Sequence, residues 1–124
     1  MNLFDTRWLG CNGIGRFTAE LLAHTAGFSE LPLTGSPAAP LDPWILRARL
    51  RECRAGFFFS PGFNAPAAPS CTYAFCVHDL IHLRAPGGGN SLHRAYYEYV
   101  IRPAVRHALK VFTVSEFSRA EICE

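Results

Sequence analysis

The first 27 residues constrain the fold most, because they join an apolar segment, a glycine-rich turn and a helical pattern. Residues 2–9 are rich in apolar side chains and are predicted to form a strand. Residues 10–16 contain three glycines, which leave the backbone free to turn tightly. Apolar residues then recur at helical spacing and predict a helix over about 14–26, ended by Gly27. The chain therefore opens as strand, turn and helix.

The same alternation continues along the chain. Residues 28–41 form a loop with room for one short strand, and a helix over about 43–54 is predicted with Asp42 as its N-cap and Pro43 in its first turn. The further predicted elements are strands over 57–60, 71–77 and 111–114, a helix over 91–109 kinked at Pro103, and a last helix that begins at Ser115. Strands that alternate with helices predict an α/β protein, with a parallel sheet and helices on both of its faces.

Some side chains of these elements are expected in the core. The strands over 57–60, 71–77 and 111–114 are predicted to be buried, as strands of a parallel sheet covered on both faces tend to be. The apolar residues expected on buried helix faces are Trp44, Ile45, Leu46 and Leu50 in the helix over 43–54, and Leu92, Tyr96, Tyr99, Val100, Val105 and Leu109 in the helix over 91–109.

Composition limits the class of protein. The 124 residues are 49% hydrophobic and 18% charged, which favours one packed domain, or part of one, over a disordered chain. The net charge of +2 gives no electrostatic reason to expect nucleic-acid binding. The five cysteines are odd in number and irregularly spaced, and the first residues do not resemble a signal peptide. We therefore expect a cytoplasmic protein with free thiols and without a membrane-spanning helix.

Candidate binding segments follow the predicted strands. In open parallel sheets, ligands bind outside the carboxyl ends of the strands, and residues 10–16, 60–64 and 78–82 fall there, with Ser115 as a fourth candidate. A glycine turn that opens a helix offers N–H groups to an anion. This turn lacks the third glycine of a dinucleotide fingerprint and the lysine of a P-loop, so a tight turn without a ligand is the alternative. If a ligand approaches the turn, Gly15→Val should block it and leave much of the fold.

His78 is the favoured functional side chain of the third segment. It follows an apolar strand together with Asp79, and a polar pair in that position faces the cleft. The alternative is that His78 caps the strand end by a hydrogen bond to the backbone. His82 is expected to be structural, because the i,i+4 spacing that suits a metal on a helix does not apply after a strand. The sequence predicts no metal site.

Four segments, in this order, resemble the N-terminal domain of family 4 glycosyltransferases with the GT-B fold, including mannosyl- and rhamnosyl-type transferases of bacterial polysaccharide assembly. The segments read FDTRWLGCNGIGRFTAELL, FFFSPGFNAP, FCVHDLIHL and VFTVSEFSRAEI. They span nearly the whole chain. The resemblance implies a Rossmann-like domain, the N-terminal half of a GT-B fold, over residues 1–124.

The resemblance also implies an activity and a site. The family transfers a sugar from a nucleotide-sugar donor to a glycan or lipid-linked acceptor, with retention of configuration and without a metal or a further cofactor. By that likeness His78 is the catalytic residue, which contacts the donor sugar. The substrate-binding residues are Gly13, Gly15 and Arg16 of the glycine turn, Asp79 beside the histidine, and Ser115 and Glu116 at the last strand-to-helix turn.

The resemblance covers only one of the family's two domains. The second domain carries an arginine, a lysine and a pair of glutamates that contact the donor's base and diphosphate, and none of these can be assigned within residues 1–124. The resemblance implies that the glycine turn of this chain faces the donor phosphates and the acceptor across the cleft. The last predicted helix also lacks a C-terminal stop signal, so we expect a truncated first domain that is inactive alone, with peripheral membrane association possible in the full-length protein. The alternative is a non-catalytic Rossmann-like binding module or a truncated pseudo-enzyme. A further, weaker alternative is a small metal-dependent hydrolase whose site contains His78, Asp79 and His82.

Overall fold

A five-stranded parallel sheet forms the centre of the protein. The computed structural model describes residues 1–10, 12–78, 91–113 and 116–123. The strands of this described part are β1 Asn2–Phe4, β2 Ser29–Glu30, β3 Phe57–Ser60, β4 Thr72–Cys76 and β5 Lys110–Phe112. They lie in the order β2-β1-β3-β4-β5, and every neighbouring pair is parallel. The predicted α/β class is confirmed, and the arrangement is Rossmann-like.

Helices connect and flank the strands. The described helices are α1 Asn12–His24, α2 Asp42–Glu52, α3 Ser91–Tyr96, α4 Arg102–His107 and α5 Glu116–Cys123, with a 3₁₀ turn over Thr6–Trp8 and a π-helical segment over Tyr97–Ile101. Helix α1 joins β1 to β2, and α2 joins β2 to β3. None of the helices in the described ranges is long and apolar enough to cross a membrane.

The first strand is shorter than predicted. It ends at Phe4, and the chain turns through the 3₁₀ segment instead of continuing to residue 9. The cause is Asp5, whose carboxylate accepts a hydrogen bond of 3.1 Å from the backbone N–H of Arg7. A buried carboxylate must find polar partners, and this side chain finds its first one on the backbone two residues ahead.

The N-cap prediction for the second helix is wrong. Helix α2 begins at Asp42 itself, after Leu41, which makes no side-chain cap. The Asp42 carboxylate contacts the Arg7 side chain, described below, so it is engaged away from the helix end.

The face of α2 also differs from the prediction. Leu46 and Leu50 are buried, whereas Trp44 and Ile45 are 52% and 48% exposed. Adjacent helical positions point about 100° apart, so consecutive apolar residues cannot share one buried stripe. Leu46 and Leu50 are four residues apart, which places both side chains on the helix face that packs into the core.

The helix predicted over 91–109 is interrupted before Pro103. The backbone N–H of Arg102 donates to the carbonyl of Tyr97, five residues back, which closes a π-helical turn. Pro103 has no N–H to donate and its ring crowds the preceding turn, so the irregularity falls directly before it. The kink expected at this proline thus takes the form of a π segment.

The core lies on one face of the sheet. Side chains alternate between faces along a strand, and those that face α2 and α4 are fully buried. On this face the strands contribute Leu3, Phe58, Tyr73 and Phe75, Val77 follows directly after β4, and the helical segments add Leu46, Leu50, Ile101 and Ala104. Helix α1 packs on the opposite face, beside Phe4 and Phe59.

Three aromatic or aliphatic residues expected to be buried are exposed. Tyr99 and Leu109 are 78% and 66% exposed, and Phe112 of β5 is 46% exposed. Strand β5 is at the edge of the described sheet and alternates exposed, half-buried and exposed. The sequence pattern was right about the existence of this strand and wrong about its burial.

Three side chains that ionise at high pH lie in or beside the core. Burial raises the pKa of Tyr73, of Tyr96 and of Cys76 to about 12 in each case. In the unfolded chain these groups ionise near their ordinary values, about 10 for tyrosine and about 8.5 for cysteine. Between about pH 9 and pH 12 the folded protein therefore holds more protons than the unfolded chain, and its free energy of unfolding falls as the pH rises through that window.

We expect the free energy of unfolding to be about 3–6 kcal/mol lower at pH 11 than at pH 8, since each pKa difference of one unit corresponds to about 1.4 kcal/mol. Urea unfolding at pH 8 and pH 11 measures this difference in the free energy of unfolding. Cys76→Ala should make the pH dependence shallower by about one proton. The exposed Cys123 provides the matched control, Cys123→Ala. Equal stability at both pH values would contradict the burial of these groups.

Candidate functional site

The strand order reverses beside β1, and in doubly wound sheets such a reversal opens a crevice outside the carboxyl ends of the strands. Strand β2 lies on one side of β1, whereas β3, β4 and β5 extend on the other. The order 2-1-3-4-5 is a common order of doubly wound sheets, which bind ligands at this switch point, outside the carboxyl ends of the strands. The chain segments that leave β1, β3 and β4 meet there, and they contain the residues described next.

A buried ion network lies beside this switch point, between the segment after β1 and the first residue of α2. The guanidinium of Arg7 donates to Asp5 from Nε and Nη2, at 2.9 and 2.8 Å, and to Asp42 from Nη1 and Nη2, at 2.6 and 3.1 Å. The side chains of Arg7, Asp5 and Asp42 are only 6%, 0% and 3% exposed. The network therefore ties the segment after β1 to the first residue of α2 in the near absence of water.

One guanidinium serves two carboxylates in this network. Burial alone would lower the pKa of Arg7, but its hydrogen bonds to Asp5 and Asp42 hold that pKa above its ordinary value, so it stays charged. Burial raises the pKa of Asp42, and the hydrogen bonds from Arg7 offset only part of that rise. The arrangement suits a structural anchor, since a charge removed from it leaves its partners buried and unpaired.

Asn64 extends the network to β3. Its side-chain oxygen accepts from the indole N–H of Trp8 at 2.7 Å and from the Ser60 hydroxyl, and its side-chain nitrogen donates to Asp5 Oδ2 at 2.8 Å. Asn64, Ser60 and Asp5 are all fully buried. Both chain segments that border the switch point are therefore fixed to each other by satisfied polar groups.

Gly62 allows this contact between the two segments. A Cβ atom built on Gly62 would lie 2.2 Å from Cε2 of the Trp8 indole. The backbone and the ring can approach this closely only because the residue has no side chain. The glycine is thus required by packing within the site.

The glycine-turn residues lie at the beginning of α1, which starts at Asn12 and not near residue 14. Gly13 and Arg16 are exposed, and a Cβ on Gly13 would meet no atom within 4 Å. A Cβ on Gly15 would lie 2.7 Å from the backbone nitrogen of Gly10. Gly15 therefore allows α1 to pack against the backbone of Gly10 in the preceding turn. Gly13, in contrast, leaves open space at the N-terminus of α1, where free backbone N–H groups can bind an anion.

His78 connects three elements of the crevice. Its Nε2 lies 2.7 Å from the carbonyl oxygen of Pro61, after β3, and because a carbonyl can only accept, Nε2 carries the hydrogen. The ring also packs edge-on against Phe17 of α1, with centroids 5.0 Å apart. His78 therefore makes the backbone hydrogen bond that the structural interpretation expected, in a position beside the helix that carries Gly13 and Arg16.

The remaining predicted residues are placed only in part. Glu116 is the first residue of α5, and its carboxylate lies 3.4 Å from the guanidinium of Arg119 on the same exposed helix face. An exposed ion pair of this kind adds little stability. Asp79, Ser115 and His82 lie outside the described residues. Within the described ranges, no three His, Cys, Asp or Glu side chains are grouped as metal ligands.

The sequence analysis missed the ion network. Asp5 and Arg7 were taken as part of a strand, although a carboxylate and a guanidinium two residues apart are unusual in a buried strand. That pair was the available signal for a turn with polar partners. Their further partner Asp42 is 35 residues from Arg7, and local spacing does not reveal such a contact.

Comparison with protein-family models, with curated proteins and with solved structures found no significant match to this chain. The family resemblance of the four motifs is therefore a prediction from the sequence.

Proposed function

We propose that this chain is the N-terminal, acceptor-side domain of a retaining GT-B glycosyltransferase, which moves a sugar from a nucleotide-sugar donor to a glycan or lipid-linked acceptor. The observation that supports it most is the contact between Phe17 and His78, with ring centroids 5.0 Å apart. This contact joins the first turns of α1 to the end of β4 at the switch point. Two of the four family motifs thus supply residues to one crevice.

The proposed roles follow from charge. The donor's diphosphate gains negative charge as the bond to the sugar breaks, and oriented N–H groups and cations stabilise such a leaving group. The exposed start of α1, with Gly13 and Arg16, offers both. His78 contacts the sugar in this proposal, and Glu116 lines the same edge after β5. No metal or further cofactor is required of these residues.

A second candidate function is a binding module without catalysis. The observation that favours it is the hydrogen bond from His78 Nε2 to the Pro61 carbonyl, which gives the imidazole a structural role. The two candidates differ in what they expect of His78. A catalytic imidazole affects turnover, whereas a structural one affects stability and binding together.

Sugar transfer from a panel of labelled nucleotide sugars tests the proposal, with residues 1–124 and with the product of the complete gene. We expect no turnover by residues 1–124, since in the family a second domain supplies further contacts to the donor's base and diphosphate that the reaction requires. The complete product should transfer sugar in the presence of a chelator and retain the anomeric configuration. In that enzyme His78→Ala should lower kcat at least about tenfold and change nucleotide affinity less than about threefold.

A matched variant separates the two candidate functions. Phe17→Leu removes the ring that packs on His78 and keeps the imidazole, so kcat should fall much less than with His78→Ala. Turnover by residues 1–124 alone would contradict the assignment of this chain to one half of the enzyme. An unchanged kcat in His78→Ala would assign the histidine to the fold and favour the binding module.

A further inference from the structure

An apolar groove runs along the face of the sheet that carries α1, opposite the core. It lies between α1 and strands β1, β3, β4 and β5 and has a volume of about 510 Å³. Phenylalanines dominate its walls, among them Phe17 of α1, Phe59 of β3 and Phe112 of β5. Phe112 is 46% exposed there, so the groove is open to solvent along β5.

The groove is distinct from the crevice at the strand ends. The ion network of the crevice lies beyond the carboxyl ends of β1 and β3, whereas the groove follows the length of the strands. It extends from Phe57, the first residue of β3, to Thr113 after β5, and Lys110 on the edge strand is level with Ala74 and Phe59. The groove shares one residue with the proposed transfer site, Phe17, which packs against His78. The other lining residues have no role in that reaction, so the groove can bind a ligand whether or not the proposed function holds.

The charge that lines the groove is positive. Among the described residues, Lys110 is the one cation that lines it, and no carboxylate does. Burial raises the pKa of the Cys76 thiol to about 12, so this neighbour is uncharged at neutral pH. The Lys110 side chain is exposed and belongs to none of the ion pairs found among the described residues. A single positive charge thus lies at the β5 side of an apolar groove.

We propose that this groove binds a single-chain anionic amphiphile of the fatty-acid type. The acid group lies beside Lys110, and the aliphatic chain lies along the phenylalanines towards Phe17. The volume falls within the range of about 300–1,000 Å³ that is typical of small-molecule sites, which are mostly apolar with a few placed polar groups. Charge complementarity with Lys110 selects the acid over a neutral or cationic head, and the phenylalanine-rich lining selects an aliphatic chain over a polar one.

Calorimetric titration of the 124-residue chain with decanoate, kept below its micelle concentration, tests this proposal. We expect saturable one-to-one binding that is about tenfold tighter for decanoate than for octanoate, because each buried methylene raises affinity about fourfold at most. Lys110→Glu should weaken decanoate at least about fivefold. Arg106→Glu on α4 makes the same charge change outside the groove and should change affinity less than about twofold. Decanol should bind both variants alike.

Lys110 is exposed, so its substitution should leave the fold intact, and far-ultraviolet circular dichroism verifies this. Lys110→Gln is a second variant, which removes the charge without reversing it. Amide chemical shifts should move at Leu21, Cys76 and Phe112 on titration with decanoate. Absence of saturable binding, equal weakening by Lys110→Glu and Arg106→Glu, or shifts confined to other surfaces would overturn the proposal. Concentration-dependent dimerisation that decanoate does not reverse would also overturn it, by showing that a second copy covers the groove.

Discussion

Replacement of Arg7 by alanine is expected to lower the free energy of unfolding by about 3–5 kcal/mol, enough to remove much of the stability of a domain of this size. The reason is the burial of Asp5 and Asp42, which are 0% and 3% exposed and share this one guanidinium. Without it, two carboxylates stay in a dry site with no cation. They must then either remain charged at high cost or take up protons.

Urea unfolding at pH 7 measures the effect, and Arg102→Ala is the control. Arg102 pairs with Glu98 at 2.9 Å, but the two side chains are 61% and 56% exposed, so less than about 1 kcal/mol should be lost. If Arg7→Ala unfolds the chain outright, the triple variant Arg7→Met, Asp5→Asn, Asp42→Asn should restore a folded state, since it removes the charges together. A loss as small as that of the control would show that the network is not an anchor.

Gly15→Val is expected to cost about 3 kcal/mol or more and to disturb the turn that precedes α1. Even a single Cβ atom at this position would lie 2.7 Å from the nitrogen and 3.0 Å from the carbonyl carbon of Gly10. These are backbone atoms of a turn in which Gly10 has φ of +82°, so they cannot yield as a flexible side chain would. The sequence analysis expected this substitution to damage ligand binding with much of the fold kept, and the geometry points instead to damage of the fold.

Gly13→Ala is the matched control, two residues earlier on the same helix. Its Cβ meets open space, and alanine favours the helix over glycine, so stability should stay equal or rise by up to about 1 kcal/mol. Thermal unfolding followed by circular dichroism compares the two variants. Equal melting temperatures for Gly15→Val and the native chain would mean that the turn does not contact the helix as described.

The sheet could be predicted because its signals are local. Apolar strands such as 57–60 lie between loops rich in glycine and proline, and the segments between the strands have apolar residues at helical spacing. This alternation of strands and helices predicts a parallel sheet. The errors arise where tertiary contacts decide. Asp5 ends β1 early because its carboxylate is buried, and β5 is exposed because it lies at the edge of the sheet.

The candidate site was predictable to the same extent. Segments 10–16 and 60–64 and His78 were expected to meet at the carboxyl ends of parallel strands. His78 does contact Pro61 of the second segment, and it contacts Phe17, which directly follows the first. The contacts between them join residues far apart in sequence, such as Trp8 and Asn64, which are 56 positions apart. Such pairs leave no periodic trace in one sequence, so the polar network and the packing role of Gly62 required the structure.

The most direct test of the central claim, that the crevice at the switch point binds a nucleotide sugar, is a nuclear magnetic resonance titration of the 124-residue chain with nucleoside-diphosphate sugars. We predict saturable shifts of the amides of Gly13, Arg16 and His78, weakened at least about threefold by Arg16→Glu and unchanged by Arg106→Glu on α4. Inorganic phosphate should shift Gly13 and Arg16 but not His78. Shifts that avoid all three residues, or no saturable shift with any donor, would contradict the account.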